Sequence, residues 1–215
     1  AQAVIDSGDE SKFDKLREVI EDERFKGQKI LIFTEHRDTL DHLVRRLEQH
    51  GYTGQVAQIH GGMPYQQREE QVEFFRRPAE EGGANFLVAT DAAGEGINLQ
   101  FCWLMINYDI PWNPARIEQR MGRIHRYKQQ HDPVLLFNLV AGKTREGKVL
   151  KTLLDKMETI RKELHSDKVF DVIGRQFEGV SLKDLILRAI TEKAADEVAA
   201  EIEGKLTKEQ VTAHA

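Results

Sequence analysis

"ANFLVATDAAGEGINLQ", residues 84–100, joins two chemistries in one short stretch. Its first half, ANFLVAT, is an apolar run of strand length. Its second half brings a hydroxyl at Thr90, glycines at 94 and 96 and an amide at Asn98 directly behind the strand's C-terminal end. Open α/β sheets bind ligands at that edge, and glycine lets a ligand come close to the backbone. The stretch therefore reads as a strand followed by a ligand-facing loop. Two other readings stand beside it: a plain glycine loop, and a dinucleotide-binding turn that begins G-x-G. The second lacks its third glycine and sits late in the sheet.

Working outward, the same alternation recurs. KILIFT (29–34), QVAQIHG (55–61), WLMINYD (103–109) and PVLLFNLV (133–140) read as strands. Between them lie helical patterns. Phe13, Leu16, Val19 and Ile20 share one face, with Asp9 or Ser11 as the cap. Leu40, Leu43, Val44 and Leu47 form a second stripe, which ends before Gly51. PYQQREEQVEFF (64–75) forms a third helix, with Pro64 near its first turn, where a missing N–H does no harm. RPAEEGGAN (77–85) is the most loop-like interruption. Strand alternating with helix predicts an α/β fold, a mostly parallel sheet with right-handed crossovers and helices on both faces.

From about Thr144 the pattern changes. Leu150, Leu153, Leu154, Met157, Ile160 and Leu164 make one apolar stripe, and Leu182, Leu185, Ile186 and Ile190 another. These read as helices appended to the sheet. The end, Glu197 to Ala215, is polar, and fraying is expected there. The division is a lead-in helix over 1–26, the sheet body over 27–143 and a helical tail over 144–215.

Size and charge bound the function. The 215 residues, 40% hydrophobic and 31% charged, suffice for one buried α/β domain with an appendage. A net charge of −5 announces no nucleic-acid binder, yet a local basic patch acts through its own potential. One cysteine, Cys102, can build neither a disulfide framework nor a thiolate metal site. His36, His42 and His50 lie on or beside one helix without a third donor, so no metal site is expected. No apolar run reaches membrane-spanning length, which predicts a soluble, cytoplasmic protein with no membrane partner. The chain starts at Ala1 without a methionine, and a piece of something larger is expected.

Three further stretches carry chemistry. In QRMGRIHR (119–126), treated as part of a helix over 114–126, Ile117, Met121 and Ile124 share one face. Gln119, Arg123 and Arg126 point the other way, and Arg116 and Arg120 lie on the flank between. Guanidinium groups suit phosphate because they stay charged and donate in pairs; a solvated basic face is the plainer reading. IHGGMPYQQRE (59–69) offers a glycine turn at Gly61 and Gly62 before a helix, a backbone nest for a phosphate oxygen or simply a tight turn. YDIPWNPARIEQR places Trp112 between two prolines, either as a core plug or as a surface aromatic platform.

The order KILIFT, HGGM, ATDAAGEGINLQ, QRMGRIHR over roughly residues 9–141 resembles the C-terminal RecA-like lobe of superfamily-two helicases and translocases. DIPWNP, and ESKFDKL before the first strand, resemble the Swi/Snf-type branch. Arg120 stands where remodellers of that branch usually carry Ala, Gly122 is added, and HRYKQ replaces a typical HRIGQ. GEG resembles bacterial members, which points to a bacterial or archaeal translocase rather than a chromatin role.

The resemblance implies a RecA-like fold and half of an ATP site. Arg123 and Arg126 would be arginine fingers, with Gln119 orienting the γ-phosphate or the attacking water. Gly94, Glu95, Gly96 and Asn98 would contact ATP, the last two at the ribose. Thr34, His60, Gly61, Gly62, Thr90 and Trp112 would contact nucleic acid, most simply double-stranded DNA. ATP and Mg²⁺ would be held mainly by an N-terminal RecA-like lobe, because this chain has neither a phosphate loop nor a D-E-x-H sequence. The chain alone is therefore expected to be inactive. A non-catalytic nucleic-acid or protein-binding module with the same fold is the alternative.

Overall fold

The computed structural model describes the backbone of residues 2–6 and residues 11–91, 97–111, 114–124, 134–141, 143–144, 147–155, 197–198, 200 and 202. Six strands form one sheet: β1 (Gln2–Asp6), β2 (Ile30–Thr34), β3 (Val56–Ile59), β4 (Phe86–Thr90), β5 (Leu104–Asn107) and β6 (Leu135–Val140). Their order is β1-β6-β5-β2-β4-β3, and all neighbours run parallel. Five of these strands are those expected. The sixth, β1, lies inside the stretch read as a lead-in helix, and it pairs with β6 from Gln2 opposite Leu136 to Asp6 opposite Val140.

Position in the sheet explains each strand's pattern. β2, β4 and β5 are central and buried at every residue, as strands covered on both faces must be. β3 lies at the edge and alternates half-buried with buried residues. Along β2 the two faces separate cleanly. Ile30 and Ile32 join the core under α1 (Lys12–Ile20) and α2 (Arg37–Leu47). Leu31 and Phe33 join the core under α3 (Tyr65–Arg76) and α4 (Pro114–Ile124). This is the period of two that sends successive strand side chains to opposite layers.

Local signals set the helix ends. Ser11 caps α1, its hydroxyl accepting the Asp14 N–H. The chain leaves α2 through a wide turn at Glu48–Tyr52, where Gly51 takes φ of 96°, a conformation closed to most side chains. The 77–85 loop is held by Lys29, whose ammonium donates to Arg77 O and Ala84 O, both at 2.6 Å. Burial there lowers the Lys29 pKa.

The tail joins the same core. A helix at 147–155 buries Val149, Leu150, Leu153 and Leu154 in the α3/α4-side cluster with Leu136 and Val140. Val198 and Ile202 are buried in that cluster too. Fraying from Glu197 onward is thereby corrected at these two positions: each gives an apolar side chain to a surface the sheet alone leaves open. Met157, Ile160, Leu164, Leu182, Leu185, Ile186 and Ile190 lie outside the described residues.

Candidate functional site

The chain runs from β2 out to the β3 edge, back to β4 beside β2, then across to β5 on β2's other side. The sheet order reverses around β2, and a crevice opens at the C-terminal ends of such strands. Three of the predicted stretches meet there. β2 ends at Thr34, in register with Thr90 at the end of β4, and β5 ends at Asn107, paired in register with Asn138.

At this point Arg120 of α4 is buried, 2% exposed. Its Nε and Nη2 donate to Asp91 Oδ1 and Oδ2 at 2.5 and 2.8 Å, the two-pronged geometry that a planar guanidinium suits. Its Nη1 donates to Asn107 Oδ1 at 2.9 Å and to Asp109 O at 2.7 Å. The guanidinium also lies over the Phe33 ring, 5.1 Å from the centroid. Asn107 in turn donates from Nδ2 to Asn138 Oδ1 at 2.7 Å, so one polar chain crosses β4, β5 and β6 under the helix. Arg116, a turn earlier and exposed, reaches Asp91 at 3.7 Å and Glu35 at 3.9 Å.

Anchored in this way, α4 sorts its side chains as the sequence predicts. Ile117 and Ile124 are buried and Met121 packs against them. Gln119 is exposed and Arg123 half-buried. The Leu99 N–H donates to Arg123 O at 3.3 Å and ties the 97–100 loop to the helix. In that loop Asn98 is exposed, its Oδ1 accepting the Gln100 N–H at 3.1 Å. Gln119, Arg123 and Asn98 thus belong to one braced unit. Arg126, Gly94, Glu95, Gly96 and Trp112 lie outside the described residues.

The residues expected to meet nucleic acid divide. Thr34 is 0% exposed, and its hydroxyl donates to Asp109 Oδ2 at 2.5 Å. The hydroxyl of Thr34, a residue expected at the nucleic acid, braces β2 against the segment after β5. Thr90 is 5% exposed. His60, Gly61 and Gly62 form a surface turn after β3, closed by the Met63 N–H donating to His60 O. The Gly62 N–H donates to His60 Nδ1 at 3.2 Å in an exposed bond, so it is engaged rather than left open as a nest would require. That bond needs a neutral imidazole accepting at Nδ1. Partial burial first, then the charge of Arg37, lowers the His60 pKa, which favours that neutral form; Asp41 opposes and Arg68 assists.

Sequence reading missed two groups. Arg120 was placed on a flank, and nothing in its spacing told of burial. Arg68 was not singled out within the 64–75 helix; its Nε donates to Met63 O at 2.9 Å and its Nη2 to Gly61 O at 3.0 Å, which shapes the glycine turn. Beside the same strand ends a cavity of about 260 Å³ is lined by Lys12, Glu35, His36, Asp109, Thr144 and others. Among the described residues no group of His, Cys, Asp and Glu converges to hold a metal ion, and no helix is long and apolar enough to cross a membrane.

Residues 11–128 match the helicase conserved C-terminal domain, and the chain belongs to that family. Its fold and relatives place it as the C-terminal RecA-like lobe of a superfamily-two helicase of the Swi/Snf-type branch. It is 43% identical over 134 residues to an uncharacterized ATP-dependent helicase, YqhH, of Bacillus subtilis, covering 62% of this chain and 23% of that protein. It is 31% identical over 212 residues to the human SWI/SNF-related matrix-associated actin-dependent regulator of chromatin subfamily A member 1, covering 97% of this chain and 19% of that protein. It is 34% identical over 124 residues to the RNA polymerase-associated protein RapA of Vibrio parahaemolyticus, covering 57% and 12%. The chain thus spans less than a quarter of these relatives' length. Among solved structures, the C-terminal domain of the DEAD-box protein Dbp5 matches at a TM-score of 0.54 and 26% identity, covering 66% of this chain and 77% of that one. The C-terminal part of the Fun30 ATPase domain matches at 0.58 and 24% identity, covering 66% and 45%, which shows the fold.

Proposed function

We propose that this chain is the C-terminal lobe of a cytoplasmic, ATP-dependent nucleic-acid translocase, that its track is double-stranded DNA, and that it is inactive without its N-terminal RecA-like partner lobe. The observation that carries the reading is the two-sided α4. Arg120 is locked into the sheet while Gln119 of the same helix is exposed and Arg123 is half-buried. A rigid helix holding guanidinium groups at an open rim suits stabilisation of charge on a neighbouring lobe's ligand.

In this reading Arg123 and Arg126 stabilise the charge that develops during phosphoryl transfer. Such fingers are worth about 10³- to 10⁵-fold in rate. Gln119 orients the phosphate or the attacking water. Asn98, with Gly94, Glu95 and Gly96, lies against the nucleotide, the Asn98 amide at the ribose. ATP, when bound, supplies the transferable phosphoryl group; Mg²⁺ and the phosphate loop come from the partner lobe. The His60–Gly62 turn, Thr90 and Trp112 track the nucleic-acid backbone.

The test has two arms. Phosphate release by the 215-residue chain, with and without duplex DNA, is expected at background; robust turnover abolished by Arg123→Ala overturns the half-site reading. In a longer protein that joins this lobe to a phosphate-loop lobe, Arg123→Ala and Arg126→Ala are expected to cut kcat by at least about a hundredfold with little change in ATP binding. Equal losses in both quantities, or none, make these arginines structural and leave a binding module.

A further inference from the structure

We infer that Arg37 and Tyr65 flank the His60–Gly62 turn as a two-part cradle for one nucleic-acid strand, Arg37 taking a phosphate and the Tyr65 ring packing on the adjoining nucleoside. The inference rests on the proposed nucleic-acid reading of that turn and adds two contact residues to it. Tyr65 is 72% exposed, and among the described residues it is the large hydrophobic side chain left in solvent. It opens α3, three positions after Gly62. Its hydroxyl donates to Glu69 Oε1 at 2.6 Å, one turn along the helix, which restrains the ring. A restrained exposed ring loses little side-chain entropy when something packs on its face.

Arg37 reaches the turn from the start of α2. Its Nη1 stands 3.6 Å from where a Cβ on Gly62 would be. Its side chain is 62% exposed, and its Nε lies 3.8 Å from Asp41, beyond hydrogen-bonding distance. Arg68 adds a second positive charge behind the turn while its donors hold Met63 O and Gly61 O. Gly62 has no side chain to cover this place. On the Tyr65 side the Glu69 carboxylate, hydrogen-bonded to the ring's hydroxyl, places a negative charge beside the ring. A phosphate is therefore drawn to Arg37, over the bare Gly62, rather than to Tyr65, which leaves the ring to the uncharged sugar or base. Such contacts tolerate any sequence, since every nucleotide offers a sugar and a flat face.

The experiment is fluorescence anisotropy of the 215-residue chain with a labelled blunt duplex and with its single strand, each across a salt series. Tyr65→Ala is expected to weaken binding about five-fold or more. It should leave the log–log salt slope unchanged, because the ring carries no charge, and Tyr65→Phe, which keeps the ring but loses the Glu69 restraint, should lose less than Tyr65→Ala. Arg37→Gln is expected to reduce the slope on duplex by about 0.9. A Tyr65→Ala loss on the single strand alone means that the ring stacks on a base; an equal loss on both probes means that it packs on the sugar. Tyr65→Ala binding both probes as wild type, or an unchanged slope in Arg37→Gln, overturns the cradle while the proposed reading of the turn stands. A wild-type chain without salt-dependent binding to either probe overturns both. Equal melting temperatures of wild type and Tyr65→Ala, expected for so exposed a residue, show that any loss is not unfolding.

Discussion

Arg120→Met tests the buried brace most directly. The substitution keeps an unbranched apolar stem and removes the guanidinium. Asp91, Asn107 Oδ1 and Asp109 O then lose their donors together. Breaking a buried charged pair from one side costs about 3–5 kcal/mol, because the partner charge stays behind. Asp91 is 19% exposed, so water recovers part of its solvation. Asn107 is fully buried and recovers none. The two corrections oppose, and about 3–4 kcal/mol is expected, a large share of the about 5–15 kcal/mol that holds a typical domain. Urea unfolding followed by circular dichroism reads the change as a lower midpoint at constant slope. Arg120→Lys should fall between, since an ammonium keeps the charge but cannot make the two-pronged contact. In a double-mutant cycle, Arg120→Met with Asp91→Asn should cost less than the sum of the single changes, because the second removes the charge stranded by the first. A loss below about 1 kcal/mol for Arg120→Met, or strict additivity, refutes the brace.

Truncation after residue 142 should lower the melting temperature and solubility together, because it exposes the surface that Val149, Leu153, Leu154, Val198 and Ile202 cover; calorimetry and sedimentation check both. Gly83→Ala should be destabilising in denaturant titration, since a Cβ there would stand 1.9 Å from Arg77 O, whereas Gly122→Ala meets nothing within 4 Å inside a helix and should stabilise by about 0.5–1 kcal/mol. Burial pushes the Cys102 thiol up to about 12, so alkylation at pH 8 should proceed only as fast as the chain unfolds; rapid labelling of folded protein would refute its burial. The depressed His60 pKa fixes a pH dependence: the unfolded chain takes up a proton near the ordinary value of about 6.5, the folded chain only below it, so this stabilisation is present above that range and is lost as pH falls. His60→Gln should flatten the fall in melting temperature between about pH 7 and about pH 5.

Much of the fold was written in local pattern. Apolar runs marked β2 to β6, 3.6-residue stripes marked α1 and α2, and Ser11 and Pro64 stand where α1 and α3 begin. Gln119 and Arg123 fell on the outer face of α4 because helical spacing alone separates them from Ile117 and Ile124. β1 escaped because five residues of edge strand carry little periodicity, and they gain stability only by pairing with β6, over 130 residues away.

The sequence by itself determined which residue types follow each strand, and therefore which ligand chemistry the sheet edge can hold. Only the tertiary structure decided which of those groups face outward. Thr34 and Arg120 carry the same atoms in an extended chain as any surface threonine or arginine. The sheet order places Asp109 beside one and Asp91, Asn107 and Asp109 around the other, and so turns both into internal braces. Gln119, in the same short motif, remains exposed. Periodicity reports a residue's direction from its own helix or strand. Burial and bonding depend on what distant segments bring to that direction, and a parallel sheet gathers its strand ends from across the whole chain.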